Sequence, residues 1–104
     1  MTPERMLAEF EALASRLGIA VRVEPFETGL SDRGGGLCRL RGRPLVLMDD
    51  SLPLGDRIAV LATALADFDL EGVYVSPLVR ARIENARGVQ QGEGAIFPSP
   101  RTVL

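Results

Sequence analysis

At Gly18 the apolar residues of this chain change their spacing, and this change restricts the folds that the chain can adopt. Before Gly18 they recur every three or four residues, as on one face of an α-helix: Met6, Leu7, Phe10, Leu13, Ala14 and Leu17. In residues 19–24, IAVRVE, the side chains of Ile19, Val21 and Val23 share one side of an extended chain, as in a half-buried strand. We therefore predict a helix followed at once by a strand whose inner face meets that helix.

The ends of this first helix are also marked in the sequence. Thr2 before Pro3 is typical of an N-cap followed by proline at the first helical position, and Glu4 suits the positive end of the helix dipole. Gly18 is placed to end the helix in a left-handed conformation. Residues 25–36 contain proline, serine and four glycines without a period, which predicts a loop.

The stretch 33–50, RGGGLCRLRGRPLVLMDD, predicts a β-hairpin. Pairing LCRL with LVLM around RGRP sets Leu40 opposite Leu45 and separates two faces. We expect the wholly apolar face to lie against the core: Cys38, Leu40, Leu45 and Leu47. We expect the mixed face to be partly exposed: Leu37, Arg39, Val46 and Met48. Cys38 is then a small, buried and unreactive core residue.

The turn of this hairpin and the elements that follow are less sharply defined. The turn is either a two-residue Gly42–Arg43 turn or a four-residue loop, since Pro44 has no N–H to close a tight turn.

Apolar residues at helical spacing predict a second helix: Leu54, Ile58, Leu61, Leu65 and Phe68. Residues 73–75, VYV, form either a short edge strand or an extended connection. A third helix is predicted to begin after Ser76 and to end at Gly88.

Together these elements predict one α+β domain over residues 1–88. Its small three-stranded sheet contains strand 19–24 and hairpin 37–48, two helices cover one face of the sheet, and the third helix lies at an edge. Residues 89–104 form a C-terminal tail that is loose unless Ile96 and Phe97 dock. A chain of 104 residues is long enough to bury one core without metals or disulfides.

The composition excludes several kinds of chemistry. Histidine is absent, which removes the commonest general base and the commonest metal ligand. The glycines 34–36 precede a strand rather than a helix and no lysine follows them, so they do not predict a phosphate site. We predict no catalytic residues, no cofactor and no metal site, and hence a protein that is not an enzyme.

Charge and hydropathy restrict the partners and the location. The net charge is −2, which disfavours nucleic acid, and the arginines around the hairpin lack the aromatic neighbours that would stack on bases. No apolar run approaches the roughly 18 residues that a membrane-spanning helix needs. A single cysteine suits a reducing compartment. We expect a soluble, cytoplasmic protein that does not bind membranes.

The order of helix, strand, glycine-bearing loop, hairpin and helix over about residues 5–70 resembles the N-terminal layout of the ImmA/IrrE-type small zinc peptidases. The resemblance lies in this layout and in phrases such as LVLMDDSLPLGDRIAVLATALADF. In that family the second helix carries His-Glu-x-x-His, which supplies the zinc-binding histidines and the glutamate base. Laid over this chain, those motif positions hold Thr63, Ala64 and Asp67. The resemblance therefore implies a catalytically inactive relative.

The sequence favours a small non-enzymatic interaction or regulatory module. Two alternatives stay open: an inactive peptidase-like domain that senses a ligand or partner, and a nucleic-acid-binding module that uses the arginine-rich hairpin. We expect a homodimer that pairs through the uncovered sheet face or a strand edge, because a sheet covered on one face leaves the rest to be shielded; the alternative is that the C-terminal tail folds back over its own sheet. An unidentified protein partner also stays open. The expected partner-binding residues combine apolar and arginine side chains: Leu37, Arg39, Arg41, Arg43, Val46 and Met48.

Overall fold

A computed structural model describes the backbone of residues 1–25 and 35–95 and the side chains of residues 1–25 and 35–88. Its helices and strands follow the order α1 (Pro3–Arg16), β1 (Ala20–Glu24), β2 (Gly35–Leu40), β3 (Arg43–Asp49), α2 (Leu54–Leu65) and α3 (Pro77–Ala95). The strands form one mixed sheet in the order β1-β3-β2, with β1 parallel and β2 antiparallel to β3. The predicted α+β class is confirmed. Most of the predicted loop 25–36, and the tail residues Ile96 and Phe97, lie outside the described residues.

Both predicted ends of α1 are confirmed. The Thr2 hydroxyl accepts a hydrogen bond from the Arg5 N–H at 3.2 Å. At the other end Gly18 has φ +77°, its N–H donates to Ser15 O, and the Ile19 N–H donates to Ala14 O. These two bonds form a Schellman motif, which satisfies carbonyls that the helix end would otherwise leave free. The chain therefore turns directly from α1 into β1.

The core lies between the sheet and the helices. Helices α1 and α2 pack on one face of the sheet, and α3 packs against α2 and α1. The largest fully buried side chains come from these helices and from β3: Phe10, Leu13, Val46, Met48, Ile58, Leu61, Leu65, Val79 and Ile83. None of the described helices is both long and apolar enough to cross a lipid bilayer.

The hairpin differs from the prediction in its turn and register. The turn consists of Arg41 and Gly42, both with positive φ (+54° and +81°), as the two-residue type I′ turn requires. Leu40 faces Arg43 across the strands, two residues before the predicted partner Leu45. Pro44 fits here because it lies next to the hydrogen-bonded pair that closes the turn, at a position where no N–H is needed toward β2.

The face of the hairpin that meets the core was predicted wrongly. A register shift of two residues keeps the same residues together on each face, so the shift alone does not exchange the faces. The burial shows the exchange: Val46 and Met48 are fully buried, whereas Leu40 is 53% exposed and Cys38 is exposed. The cause is β1, whose parallel register puts Arg22 beside Leu47 and Glu24 beside Asp49. The face that carries these two charged residues cannot form the core.

The third helix extends further than predicted. It runs through Gly88 to Ala95, so the predicted helix end and domain boundary at residue 88 fall inside a helix. Gly88 does not adopt positive φ and so does not form the left-handed cap that ends α1. A glycine inside a helix costs only about 1 kcal/mol relative to alanine, which is not enough to stop it. Residues 73–75 form no strand and connect α2 to α3.

Candidate functional site

Strand β2 lies at the edge of the described sheet and offers its backbone for further pairing. The residues that close a two-residue turn, Leu40 and Arg43, form a hydrogen-bonded pair, and bonded and non-bonded pairs then alternate along the ladder. The N–H and C=O groups of Gly35 and Leu37 therefore point away from β3. Within residues 1–25 and 35–95 no strand pairs with this side of β2. Such an edge is a template for another extended segment.

Helix α2 and the turn after it form a wall beside this edge. Side chains at a spacing of three and four residues line a groove of about 450 Å³ together with residues 35–37 of β2: Asp56, Ala59, Val60, Thr63, Ala64 and Asp67. This volume is within the range of ligand-binding pockets. The wall from Asp56 to Asp67 is about 16 Å long at 1.5 Å per residue, the length of about five residues of extended chain.

The groove has acidic ends and a largely apolar centre. Asp56 and Asp67 are exposed at its two ends, while Val60 and Leu37 are half-buried between them. No arginine is among the described residues that line it. Asp56 and Asp67 are eleven positions apart, about 16 Å at the rise per residue of a helix, so their carboxylates are too far apart to share a proton or a metal ion. The groove therefore favours an elongated ligand with positive charge toward both ends.

The positions that the peptidase resemblance pointed to lie in this groove. Thr63, Ala64 and Asp67 all line it, next to the edge of β2. Ala64, which the layout resemblance would set in the place of that family's glutamate, is 3% exposed and has no ionisable group. In the described parts of the chain no group of three or more cysteine, aspartate and glutamate side chains could hold a metal ion. The side chains that line this groove offer carboxylates, one hydroxyl and apolar surface.

Two partly buried arginines hold α2 in position. Near its start, Arg57 donates to Leu52 O at 3.1 Å and to Asp50 O at 2.9 Å, which fixes the connection from β3. Near its end, Arg87 of α3 donates to Ala66 O at 3.1 Å and to Phe68 O at 3.2 Å. Charged donors to backbone carbonyls form some of the stronger hydrogen bonds in proteins. The wall of the groove is therefore anchored at both ends.

The six residues predicted to bind a partner do not form one surface. Val46 and Met48 are fully buried, so the prediction that they are exposed to a partner is wrong. Leu37 lines the groove beside α2. Arg39 is exposed, and its guanidinium donates to Gly42 O at 3.4 Å. Arg41 and Arg43 border a different hollow on the opposite face of the sheet. Arg33, which belonged to the predicted arginine cluster, lies outside the described residues.

The groove was not predicted from the sequence, although the residue pattern of α2 indicates one of its walls. Asp56, Val60, Thr63 and Asp67 are spaced as one stripe of a helix, and this stripe is neither wholly apolar nor strongly charged. A stripe of this kind indicates a helix face that is not fully buried. Nothing in the local pattern shows that β2 runs beside it, because strand order depends on pairing between distant residues.

Comparison with protein-family models, with curated proteins and with solved structures finds no match to this chain.

Proposed function

We propose that this protein is a non-enzymatic interaction module that binds an extended segment of another protein in the groove between β2 and α2. The bound segment adds to the sheet as a fourth strand, by backbone hydrogen bonds to Gly35 and Leu37. Strand addition at a sheet edge is a common mode of peptide recognition, in which pockets for alternate side chains give specificity. The observation that carries the proposal is the edge of β2 lying beside a wall about five extended residues long.

The groove also selects the side chains of the ligand. Alternate residues of an added strand point toward α2, and the first and fifth of five residues lie about 14 Å apart. Long basic side chains at these two positions reach Asp56 and Asp67. A small apolar residue at the third position meets Val60 and Leu37. The proposed ligand is therefore an extended segment with the pattern basic, any, apolar, any, basic.

The proposal contains no catalysis. The alternative of an inactive peptidase-like sensor would use the same groove, since Thr63, Ala64 and Asp67 line it. An acidic groove does not favour the nucleic-acid alternative, because phosphates would be repelled. As part of the proposal we place the module in the cytoplasm, where the single free cysteine stays reduced.

A labelled synthetic peptide tests the proposal. The probe is acetyl-Gly-Arg-Thr-Val-Thr-Arg-Gly-amide carrying a fluorophore, and anisotropy measures its binding to the whole protein. We expect saturable binding with a Kd at or below about 100 μM, or about 5.5 kcal/mol. The double variant D56N/D67N should weaken binding at least tenfold, because it removes both charge contacts. E11Q, which removes an exposed carboxylate on α1, is the matched control and should change nothing.

Backbone methylation separates strand addition from simple charge attraction. In an added strand every second N–H faces β2, so N-methylation of one alternating set of peptide amides should abolish binding while methylation of the other set should not. Equal effects of the two sets, or no binding at 1 mM peptide, contradict strand addition. Mass spectrometry of the recovered peptide should show it intact, and cleavage would contradict the non-enzymatic assignment.

A further inference from the structure

The face of the sheet opposite α1 and α2, here called the outer face, has an ordered charge pattern. Its residues follow from the strand register: Ala20, Arg22 and Glu24 of β1, Gly36, Cys38 and Leu40 of β2, and Arg43, Leu45, Leu47 and Asp49 of β3. Helices α1 and α2 lie on the other face, with Val46 and Met48. Within the described residues no helix packs on the outer face, and on this face Leu45 is 7% exposed while Leu47 is half-buried.

The central strand is antisymmetric in charge on this face. Along β3 the outward side chains run from a cation, Arg43, through Leu45 and Leu47 to a carboxylate, Asp49. The neighbours strengthen both ends: Arg41 adjoins the cationic end in the turn, and Glu24 lies beside Asp49 in register. Arg22, which forms an ion pair with Glu24, lies between the two ends. A reversal of direction about the midpoint of β3 would exchange the two charges and the two leucines.

We propose that the outer face binds a second copy of this chain, with the two-fold axis lying between the sheets and perpendicular to the strands. The two central strands then run in opposite directions. Arg43 lies over the end of the partner sheet that carries Glu24 of the partner subunit, Leu45 lies over Leu47 of the partner subunit, and each contact occurs twice. A two-fold axis parallel to the strands would instead put Arg43 over the partner's Arg43. The charge order thus selects one of the two face-to-face arrangements.

A hollow on the outer face fits this arrangement. It measures about 560 Å³, and Leu45 lies in it with Leu40 and Pro44, while Arg22, Arg41 and Arg43 line its border. In the proposed dimer the partner's Leu47 enters this hollow and the partner's Glu24 meets its arginines. The face is small, about 14 Å by 24 Å for three strands of up to seven residues, and stable interfaces are usually larger. We therefore expect a dissociation constant in the micromolar range.

Mass measured across a dilution series is the first test. Sedimentation equilibrium of the full chain should show a monomer that dimerises between about 1 and 300 μM, with weaker association at higher salt because the contacts are charged. A monomer mass at every concentration up to 300 μM contradicts the proposal.

Paired charge reversals test the face itself. R43E and E24R should each weaken the dimer at least tenfold, since each places like charges together at both contacts. Mixing the two variants should restore association, because in the mixed dimer the introduced carboxylate of one chain meets the introduced guanidinium of the other and the remaining contact is wild type. R82E, on an exposed part of α3, is the control and should leave the dimer unchanged. Circular dichroism checks that each variant is folded. If both are folded and the mixture does not associate, this arrangement is contradicted.

Cys38 provides an independent distance measurement. It is exposed on the outer face, and in the proposed dimer the two Cys38 Cα atoms are about 12 Å apart, given sheets 10 Å apart and an offset of two residues along the strand. This is too far for a disulfide but within reach of a short bis-maleimide. Cross-linked dimer should form with wild type and not with R43E. Cross-linking that R43E leaves unchanged contradicts the proposed face.

The peptide groove lies on the other side of the sheet, so R43E should not change peptide binding. Each of the two proposals can therefore be contradicted without the other.

Discussion

Gly35 and Gly36 are neighbours in β2 with opposite surroundings. A Cβ atom on Gly35 would overlap Leu47 O and would lie 3.0 Å from Met48 Cα, both backbone atoms that cannot move alone. A Cβ atom on Gly36 would have no heavy atom within 4 Å. Only the first glycine is therefore required by the close approach of two strands.

We expect G35A to destabilise the protein by about 1–3 kcal/mol, as overpacking against a fixed backbone does. G36A should be neutral or slightly stabilising, because alanine restricts the unfolded chain more than glycine does. Urea denaturation of the two variants measures both values. A smaller loss for G35A than for G36A would show that β2 does not pair with β3 at this end.

Single residues also show what local sequence could predict. Thr2 and Gly18 act through neighbours within a few positions, so their roles in α1 followed from the sequence. The exposure of Cys38 could not be predicted in this way. Both faces of its hairpin carry leucine, valine or methionine, so either face could have met the core. Its exposure was decided by Arg22 and Glu24 in a strand that is not adjacent in the chain.

Arg87 connects α3 to the end of α2. Its guanidinium donates to Ala66 O, at the C-cap of α2, and to Phe68 O in the turn that follows. These bonds also position Asp67, which lies between the two acceptors and forms one end of the groove.

We expect R87A to lower the free energy of unfolding by about 2–3 kcal/mol, since partly buried carbonyls lose a charged donor. R87K should recover only part of this loss, because lysine cannot reach two carbonyls with a planar fork. R82A, at an exposed position on the same helix, should stay within about 0.5 kcal/mol of wild type. Thermal and urea denaturation compare the three, and equal stability of R87A and R82A would argue against the anchoring role.

The same contrast between local and distant information holds for elements. The helices, the strands and the α+β class followed from periods and turn signals. Gly88 was misjudged as a helix end because a glycine ends a helix only when the following N–H groups bond back, as they do after Gly18. The groove could not be predicted, because it exists only where β2 and α2 lie side by side.

The alternation of side chains along β2 gives this one strand two roles. Leu37 points into the groove with α2, and Cys38, the next residue, lies on the outer face. The two proposed interactions therefore occupy opposite sides of a three-stranded sheet. A peptide and a second copy could be bound at the same time without competing for a side chain.

The strand order also determines how far apart in the chain the contacting residues lie, and hence the expected folding kinetics. Strands β2 and β3 are joined by two residues and can pair within microseconds, whereas Ala20 of β1 pairs with Leu45 across the intervening hairpin and loop. We expect the hairpin to be formed in the folding transition state and β1 to dock afterwards. G42A should then mainly slow refolding, and V21A should mainly speed unfolding. Stopped-flow chevrons show which rate each variant changes. An effect of V21A confined to the refolding limb would mean that β1 and β3 pair first.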